Sequence, residues 1–465
     1  MVPRSRTTCV GVTVSARLRH LGRRLYERTA GRSVMRALED LLETQWLNRD
    51  ELHALQRQRL LVLVEYANRY VPHYQRLFRQ IGFEPGDLRK DPESFRHLPT
   101  VEKSFIRDHS GAFLTTDPAR HRRLQARSTS GSTGHPLIFW EDRDSLDHQR
   151  AGLLRHLTWG GWAFGDTHAF LWGRPLEEPF RMRVRNGLMD FVMDRFASDA
   201  YVLSERSMHD LARQIQRRRP KLIFGYPSSL AHFARFVEEK GQDNVKLPAV
   251  FTSAEVLYPH QREVIERVFD CKVFNRYAAL ETGDLACECE AHIGATHMSS
   301  ESCVIEILNG ENPAQPGEPG QVVITNLNNF GFPFIRYRLG DIARVSRQDG
   351  CPCGRQHPLL ETVEGRQVDM FQTEDGRVVF GDFQSTLFEV DGLRQFQIVQ
   401  KSVNLVLIRL VTSETFRRSQ LDVIERAAKR VMGSETKVTF EFLDSIPTGS
   451  LGKFRYAISE VSGSG

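Results

Sequence analysis

Apolar and polar positions near the start of the chain repeat with the spacing of amphipathic helices. Between about Ser33 and Arg79, leucines alternate with Arg, Glu and Gln, and no Gly or Pro interrupts the pattern before Pro72. Apolar residues three or four positions apart place one face of each helix against a core. The pattern therefore predicts an all-helical opening of the chain, in which no residues are arranged for chemistry.

From about Lys221 the pattern changes to short apolar runs separated by amphipathic segments. The runs KLIFGY, AVFTSAE and CKVFNRY predict three strands. Between them, Ser228 or Ser229 suits a helix N-cap, Gly241 suits a helix end, and Pro259 suits the first turn of a second helix. Alternating strands and helices require crossover connections and so predict a largely parallel sheet. Ligands of such sheets bind at the carboxyl ends of the strands.

The last hundred residues show alternating apolar segments, one helical stretch between Ser419 and Val431, and a final strand VTFEFLD. This change of pattern predicts a domain boundary between about Glu364 and Asp369. We expect residues 1–100 to be a helical segment packed on a large domain, 101–364 to be the core of that domain, and 365–465 to be a small C-terminal domain. The expected fold class is α/β: a large multilayer α/β domain with parallel-type sheets, followed by a small α+β domain.

Composition and charge narrow the classes of function. The chain has 465 residues, with 63 Lys and Arg against 58 Asp and Glu, a net charge of +5. This surplus is too small to predict nucleic-acid binding. No window approaches the roughly 18 apolar residues of a transmembrane segment, and Met1 to Ser15 lacks the apolar stretch of a signal peptide. These observations predict a cytoplasmic protein, and the odd number of cysteines, seven, predicts reduced thiols.

One polar segment, Thr129 to Pro136, has the composition of a phosphate-binding loop. Its hydroxyl and glycine residues are Ser130, Gly131, Ser132, Thr133 and Gly134. Backbone amides exposed by glycine, together with Ser and Thr hydroxyls, can cradle phosphate oxygens. The spacing does not match a Walker motif. Taken alone, the segment is more simply interpreted as an ordinary polar loop.

Four further segments, together with this loop, resemble in order the motifs of the adenylate-forming superfamily. Asn275 to Glu281 resembles its adenine motif, N-x-Y-G-x-T-E, and Tyr337 to Asp341 matches its ribose motif, Y-R-x-G-D. Gly365 to Asp369 resembles the hinge motif, and Pro447 to Arg455 resembles the C-terminal lysine motif. Within the superfamily the chain is most similar to phenylacetate-CoA ligase-like proteins, including members associated with capsular polysaccharide genes. The phrases that carry this resemblance are FGYPSSL, TSAE, FPFIRYRLGD, CPCGRQHP and IPTGSLGKFRY.

The resemblance implies an enzyme that activates a small-molecule carboxylic acid. A carboxylate oxygen attacks the α-phosphorus of Mg-ATP, pyrophosphate leaves, and the acyl-adenylate passes its acyl group to coenzyme A, an amine or a hydroxyl. The small C-terminal domain would be a mobile lid over the site. An alternative is a nucleotide-responsive, zinc-containing binding protein on the same scaffold, in which ATP is held without turnover. Lys453, retained in a chain that strongly prefers Arg to Lys, argues against that alternative.

The motif positions assign roles to individual residues. Lys453 would bridge the attacking carboxylate and the α-phosphate, and Glu281 would help to hold Mg²⁺. Tyr277 would offer a face to the adenine ring, Asn275 would contact its amino edge, and Asp341 would accept hydrogen bonds from the ribose hydroxyls. Without the motifs, Tyr277 would be a half-buried strand aromatic and Asp341 a turn residue. The full set of expected ATP-binding residues is Ser130, Gly131, Ser132, Thr133, Gly134, Ser253, Ala254, Glu255, Asn275, Tyr277, Asp341 and Arg366.

Three positions depart from the motifs. Leu280 stands where a hydroxyl residue often precedes the motif glutamate, which removes one phosphate donor. Ala278 replaces a glycine, which restricts how closely the backbone approaches the nucleotide. Val368 occupies the usual hinge Asp or Lys position, so the domain rotation between two half-reactions is expected to be altered or lost. Adenylation is therefore better supported than acyl transfer.

The cysteines are grouped with histidines in a pattern typical of zinc ligands. Cys289 and His292 are separated by two residues, and Cys351 and Cys353 by one. Three thiolates and one imidazole form a tetrahedral zinc set, and four protein ligands make such a site structural. His297 is an alternative imidazole ligand, and unrelated reduced thiols are the alternative to a metal site.

The aromatic-rich stretch from Phe139 to Trp172 could line an acyl pocket or pack the core, and we favour the core. The identity of the acid, the identity of the acceptor and the oligomeric state, a homodimer included, are left open by the sequence.

Overall fold

The computed structural model describes residues 23, 27, 31–129, 137–173, 187, 190–191, 193–200, 203–291, 294–366, 370–374, 378–380, 387, 390–446 and 456–461. Its first hundred residues are helical, as the sequence pattern predicts. These helices are α1 (Val34–Thr44), α2 (Arg49–Tyr70), α3 (Pro72–Ile81), α4 (Asp87–Lys90) and a 3₁₀ helix (Pro92–His97). Helix α2 begins at a capping box formed by Asn48 and Glu51, and α3 ends at Gly82, whose φ of 66° is left-handed.

The middle of the chain contains short helices and then alternates strands with longer helices. In chain order these elements are α5 (Lys103–Asp108), α6 (Ser110–Phe113), α7 (Pro118–His121), β1 (Gln125–Ser128), β2 (Ile138–Glu141), α8 (Arg143–Trp159), β3 (His168–Trp172), β4 (Arg195–Asp199), α9 (Glu205–Arg218), β5 (Leu222–Gly225), α10 (Pro227–Glu239), β6 (Ala249–Ser253), α11 (Pro259–Phe269) and β7 (Lys272–Ala279). The strands predicted from KLIFGY, AVFTSAE and CKVFNRY are thus confirmed as β5, β6 and β7.

Strands dominate the next ninety residues. They are β8 (Gly283–Cys287), β9 (Thr296–Met298), β10 (Cys303–Asn309), β11 (Asn312–Pro313), β12 (Pro319–Asn326), β13 (Tyr337–Val345) and β14 (Leu359–Arg366). Strands β3 to β14 form one sheet of twelve strands in the order β11-β10-β12-β13-β14-β9-β8-β7-β6-β5-β3-β4. Its β4-β3-β5-β6-β7 half is parallel, and its pairs from β7 to β11 are antiparallel. The α/β fold class is confirmed, but the predicted parallel pairing holds for only four of the eleven strand pairs in this sheet.

Three apolar clusters cover this sheet. One packs the helices of the first hundred residues against the antiparallel half, and another packs α9, α10 and α11 against the parallel half. A third joins α1 and α8 to β5, β6 and β7. Phe139, Trp159 and Trp162 are buried in these clusters, whereas Trp172 is partly exposed and stacks on Tyr226 with ring centroids 4.2 Å apart. Most of the aromatic-rich stretch therefore packs the core, as expected.

The polypeptide before β1 is fastened to β13 by Arg336. This residue has a left-handed φ of 48°, and its guanidinium is almost fully buried. It makes a two-pronged ion pair with Glu306 and donates to the backbone carbonyl oxygens of Arg96 and Leu98. Val101 pairs with the backbone on either side of Tyr337. The helical opening and the strand that carries the ribose motif are thus parts of one structure.

The C-terminal part has its own sheet and core. Its elements are β15 (Met370–Gln372), β16 (Val378–Phe380), β17 (Leu393–Ser402), β18 (Leu405–Thr412), α12 (Gln420–Met432), β19 (Lys437–Phe442) and β20 (Ala457–Ser459). Four of these strands form a sheet in the order β19-β18-β17-β20, and α12 packs on it. The predicted helix between Ser419 and Val431 is confirmed within one residue. Within the described residues, no helix is long and apolar enough to cross a membrane.

Candidate active site

The adenine and ribose motifs meet at a hydrogen bond between side chains. Tyr277 lies on β7 and Asp341 lies on β13, and the Tyr277 hydroxyl donates to Asp341 Oδ2 at 2.6 Å. Strands β7 and β13 are four positions apart in the sheet. In a flat sheet that separation is about 19 Å, which is longer than these two side chains can span. The sheet must therefore curve, and the curvature creates a concave site between the two motifs.

A second hydrogen bond joins the adenine motif to the ribose motif. Glu281 lies in the turn between β7 and β8, and its Oε1 accepts a hydrogen bond from the Tyr337 hydroxyl at 3.3 Å. The Asn326 side chain donates to the backbone carbonyl of Glu281 at 2.9 Å. The Glu281 carboxylate is therefore fixed beside the ribose-motif strand, although it is close to Tyr277 in the sequence.

The residues after β6 form the neighbouring edge of the site. Ser253 is buried at the end of the strand, and Ala254 adopts a left-handed φ of 73°. A left-handed alanine is strained, so this turn is held by its surroundings. The Glu255 carboxylate accepts a hydrogen bond from the backbone N–H of Ser228 at 3.1 Å. The carboxylate of Glu255 thus satisfies an N-terminal amide of α10 and complements the helix dipole.

This contact corrects the predicted cap of α10. Ser228 or Ser229 was expected at the N-cap, but the N-cap residue is Tyr226, two or three residues earlier, and its side chain makes no cap hydrogen bond. The missing acceptor comes from Glu255, which follows a different strand. Because Glu255 is 27 residues from Ser228 in the chain, no local sequence pattern predicts this cap.

Asn275 is positioned by a partly buried ion pair between Arg262 and Glu288. Glu288 accepts two hydrogen bonds from Arg262, both at 2.8 Å, and a third from the Asn275 backbone N–H at 2.8 Å. The Asn275 side-chain oxygen accepts from the Thr252 hydroxyl at 3.2 Å. On the other side of the site, Arg366 is paired in register with Asp341 across β13 and β14. The structure therefore brings Asn275, Tyr277, Glu281, Asp341 and the backbone of Arg366 to one region.

Asp284, three residues after Glu281, is the centre of a buried charge network that the sequence pattern missed. Its carboxylate lies 3.2 Å from both Arg155 and Arg276 and 2.8 Å from Nδ1 of His156. Burial raises the pKa of Asp284, but His156 and the two guanidinium groups outweigh burial and hold that pKa far below its usual value. Burial lowers the pKa of His156 to about 4, so the ring beside the ionised Asp284 is neutral. The network ties the β7–β8 hairpin, which carries Glu281, to α8.

Part of the predicted site lies outside the described residues. These predicted residues are Ser130, Gly131, Ser132, Thr133, Gly134, His292 and Lys453, together with the hinge position Val368. Both ends of the phosphate-loop segment are described, and they are held together. Thr129 and Leu137 are joined by a backbone hydrogen bond, and the Leu137 N–H also donates to the Thr129 hydroxyl, each at 3.0 Å.

Three of the cysteines assemble beside the imidazole of His297. Cys289, Cys351, Cys353 and His297 place their ligand atoms within 4.8 Å of one another. The Cys289 and Cys351 sulfurs are 3.5 Å apart, and the Cys353 sulfur is 3.4 Å from Nε2 of His297. Hydrogen bonds from Cys289 and His297 lower the pKa of the Cys353 thiol to about 2, against the effect of burial. Within the described residues, the imidazole that lies beside the cysteines is that of His297, the alternative named from the sequence.

Comparison with known proteins agrees with the family resemblance that the motifs carry. A family model described as the CapK C-terminal domain matches residues 370–460. Protein CapK of Staphylococcus aureus is 21% identical over 419 residues, which cover 89% of this chain and 90% of that protein. The phenylacetate-coenzyme A ligase of Escherichia coli K12 is 25% identical over 415 residues, covering 86% and 92%.

Among solved structures, a 2-hydroxyisobutyryl-CoA ligase in the postadenylation state superposes with a TM-score of 0.72 at 20% identity, covering 90% of this chain and 92% of that one. The chain has the adenylate-forming ligase fold. The resemblance stated from the motifs is therefore confirmed: the sequence relatives are CapK and phenylacetate-CoA ligases. The same 2-hydroxyisobutyryl-CoA ligase in its thioesterification state superposes less well, with a TM-score of 0.59 over the same 90% of this chain.

Proposed function

We propose that this protein is an adenylate-forming ligase that activates a carboxylic acid with ATP and passes the acyl group to coenzyme A. The observation that carries the proposal is the convergence of two motifs in space. Tyr277 contacts Asp341, and Glu281 contacts Tyr337, although the two members of each pair are more than fifty residues apart in the sequence. The sequence relatives named phenylacetate-coenzyme A ligase support an acyl-CoA product.

Each described residue has a task that suits its position. The ring of Tyr277 would stack on adenine, and the Asp341 carboxylate would exchange its contact with the Tyr277 hydroxyl for the two ribose hydroxyls. Glu281 would hold Mg²⁺, whose preference for carboxylate oxygens fits a fixed glutamate. Magnesium would neutralise charge on the phosphates. The remaining members of the predicted set, Ser253, Ala254, Glu255 and Arg366, would border the nucleotide.

The residues outside the described part of the chain complete the proposal. The segment from Ser130 to Gly134 would cradle the phosphates, because its base is closed by Thr129 and Leu137 at the edge of the β1–β2 hairpin. Lys453 would bridge the attacking carboxylate and the α-phosphate. In this proposal the chain consists of a helical segment (1–100), the core of the large domain (101–364) and a C-terminal lid domain (365–465).

Acid-dependent pyrophosphate release tests the proposal. Purified protein would be incubated with Mg-ATP and a panel of acids that includes phenylacetate, with and without coenzyme A. We expect release with at least one acid, and acyl-CoA formation with that acid. Release without thioester formation would instead favour an amine or hydroxyl acceptor, as the valine at position 368 suggested. No release with any acid would favour the alternative protein that binds nucleotide without turnover.

A pair of variants ties that activity to the described site. Asp341→Ala should raise the KM for ATP about 10- to 100-fold, since it removes charge-assisted hydrogen bonds to the ribose. Asp349→Ala is the matched control, because Asp349 is an exposed carboxylate that forms an ion pair with Arg49 at the surface. Equal effects of the two substitutions would contradict the assignment of Asp341.

We further propose that Cys289, His297, Cys351 and Cys353 hold a structural zinc ion. Zinc–sulfur bonds of about 2.3 Å at tetrahedral angles place two sulfurs about 3.8 Å apart, close to the 3.5 Å between Cys289 and Cys351. That distance is far too long for a disulfide. The thiolate favoured at Cys353 suits a cation. Such an ion would join the loop after β8 to β9 and to the loop before β14.

A further inference from the structure

Tyr456, a residue of the C-terminal part, contacts the large domain. Tyr456 immediately precedes β20, and its backbone carbonyl accepts a hydrogen bond from the Ile398 N–H of β17 at 2.8 Å. Its ring packs on Phe396 of the same strand, with centroids 5.1 Å apart. Backbone and ring are thus both fixed to the small sheet, which leaves the hydroxyl end to project from it.

The hydroxyl end of Tyr456 contacts α11. Its ring meets the ring of Tyr258 edge to face, with centroids 5.9 Å apart, and its hydroxyl makes a hydrogen bond with the Gln261 side chain. Burial raises the pKa of Tyr456, so the hydroxyl keeps its proton. Gln261 is itself buried and accepts a hydrogen bond from the Tyr258 backbone N–H at 3.1 Å. Aromatic contact and hydrogen bond together define an interface between the small and large parts of the chain.

This interface lies beside the proposed nucleotide site. Tyr258 is three residues after Glu255, and the negative charge of Glu255 is close enough to act on the Tyr456 hydroxyl. Lys453 precedes Tyr456 by three residues in the sequence. Three residues of fully extended chain span at most about 11 Å, so wherever Tyr456 docks, the backbone of Lys453 must follow.

We infer that Tyr456 is a positioning residue: by docking on Tyr258 and Gln261 it fixes the small domain in the arrangement used for adenylation and delivers Lys453 to the phosphates. The inference rests on the proposed function for its catalytic consequence, but the docking itself does not. It agrees with the better superposition on the 2-hydroxyisobutyryl-CoA ligase in the postadenylation state, 0.72 against 0.59 for the thioesterification state over an equal share of this chain.

Hydrogen exchange tests the docking without any substrate. In Tyr456→Ala, peptides covering Tyr258 to Gln261 should exchange at least about threefold faster than in the wild type, because the covering ring and hydrogen bond are gone. Peptides from β17 are the internal reference for an intact small sheet. If they also lose protection, Tyr456→Phe, which removes only the hydroxyl, takes the place of the alanine variant. Unchanged exchange at the start of α11 in both variants would overturn the inference.

A double-mutant cycle tests the catalytic consequence, using the acid that gives the fastest ATP–pyrophosphate exchange in the panel above. Tyr456→Phe should slow exchange about fivefold, as expected for one neutral hydrogen bond, with the KM for ATP almost unchanged. Gln261→Leu should slow exchange at least as much, because it also removes the acceptor of the Tyr258 backbone N–H. The double variant should be no slower than Gln261→Leu alone, because Tyr456→Phe removes nothing further once the shared contact is gone. Effects that multiply would show that the two residues act independently, and would overturn the inference.

Two comparisons separate positioning from general damage. Acyl transfer from a preformed acyl-adenylate should be unaffected in Tyr456→Phe, whereas a purely structural role would slow both half-reactions equally. Tyr74→Phe is the matched control: it removes a buried tyrosine hydroxyl that bonds the backbone of Pro333 and Ile335, well inside the large domain core. If the wild type shows no exchange with any acid, the proposed function fails, while the hydrogen-exchange result still decides the docking.

Discussion

Replacing Gly152 with alanine should destabilise the protein, although alanine is the better helix former. Gly152 lies in the interior of α8, where alanine ordinarily stabilises a helix by about 1 kcal/mol. A Cβ at this position would lie 2.8 Å from Oδ2 and 2.9 Å from Cβ of Asp284. Both distances are shorter than van der Waals contact. The carboxylate cannot simply move away, because Arg155, Arg276 and His156 hold it from three sides.

The size of the effect follows from these contacts. Overpacking a core by one methyl typically costs about 1–3 kcal/mol, and separating a buried ion pair costs about 3–5 kcal/mol. Because α8 can shift part of the way, we expect a net loss of about 2–4 kcal/mol in the free energy of unfolding. The sign is opposite to the one that helix propensity predicts.

Urea unfolding followed by tryptophan fluorescence measures this loss. Four of the five tryptophans lie between Trp140 and Trp172, around α8, so the signal reports on the affected region. Gly111→Ala is the control, since Gly111 is also helical and an added Cβ there meets no atom within 4 Å. The control should leave the protein as stable as the wild type or stabilise it by up to about 1 kcal/mol. A Gly152→Ala variant as stable as the wild type would refute the argument from Asp284.

Three other outcomes are expected. Burial raises the pKa of Glu141 to about 7, so the native state keeps a proton that the unfolded chain releases above pH 4.5. The stability that this group contributes is complete below pH 4.5 and is lost as the pH rises through 7. The loss is about 3 kcal/mol in the free energy of unfolding. Unfolding measurements on Glu141→Gln across that pH range should not show this loss. Cys353→Ser should reduce the zinc content from about one ion per chain to almost none and lower the melting temperature by about 5 °C or more, as elemental analysis and calorimetry would show. A wild type without stoichiometric zinc would contradict the proposed metal site. Lys453→Ala should slow acid-dependent ATP–pyrophosphate exchange about 100- to 1,000-fold while ATP binding is almost unchanged. More than about a tenth of wild-type exchange would exclude the catalytic role.

Helices and strands were predictable where the hydrophobic pattern and turn residues of their own segment determine them. The three parallel strands β5, β6 and β7 contain short apolar runs, and the helices between them begin at a proline, so periodicity and turn chemistry agree. Motif spacing singled out Tyr277 and Asp341, which are joined by a hydrogen bond in the structure. The antiparallel part of the sheet was not predicted. Its strands are joined by hairpins and loops, without the crossover helices that mark parallel strands in a sequence, and its apolar segments did not stand out as strands.

The remaining contacts depend on residues that are distant in the sequence. His292 is nearer to Cys289 in the chain, but β9 pairs with β8 and places His297 opposite Cys287, which brings the ring of His297 to the cysteines. Asp284 could not be distinguished from a surface carboxylate, since its partner Arg155 is 129 residues away. Such pairs are set by how the sheet folds on α8, and a single sequence carries no local trace of them.

The fastening of the helical opening by Arg336 has a consequence for synthesis of the chain on the ribosome. Arg336 donates to the carbonyl of Leu98, 238 residues earlier. At about 5–20 residues per second, the helices α2 and α3 must wait roughly 10–50 s after they emerge before the strand that covers their apolar faces is made. During that interval the buried leucines of α2 have no permanent partner from β12 or β13. The nascent chain is therefore most exposed to aggregation and to chaperone capture before residue 336 leaves the exit tunnel, and slowing translation upstream of that point would lengthen this vulnerable period.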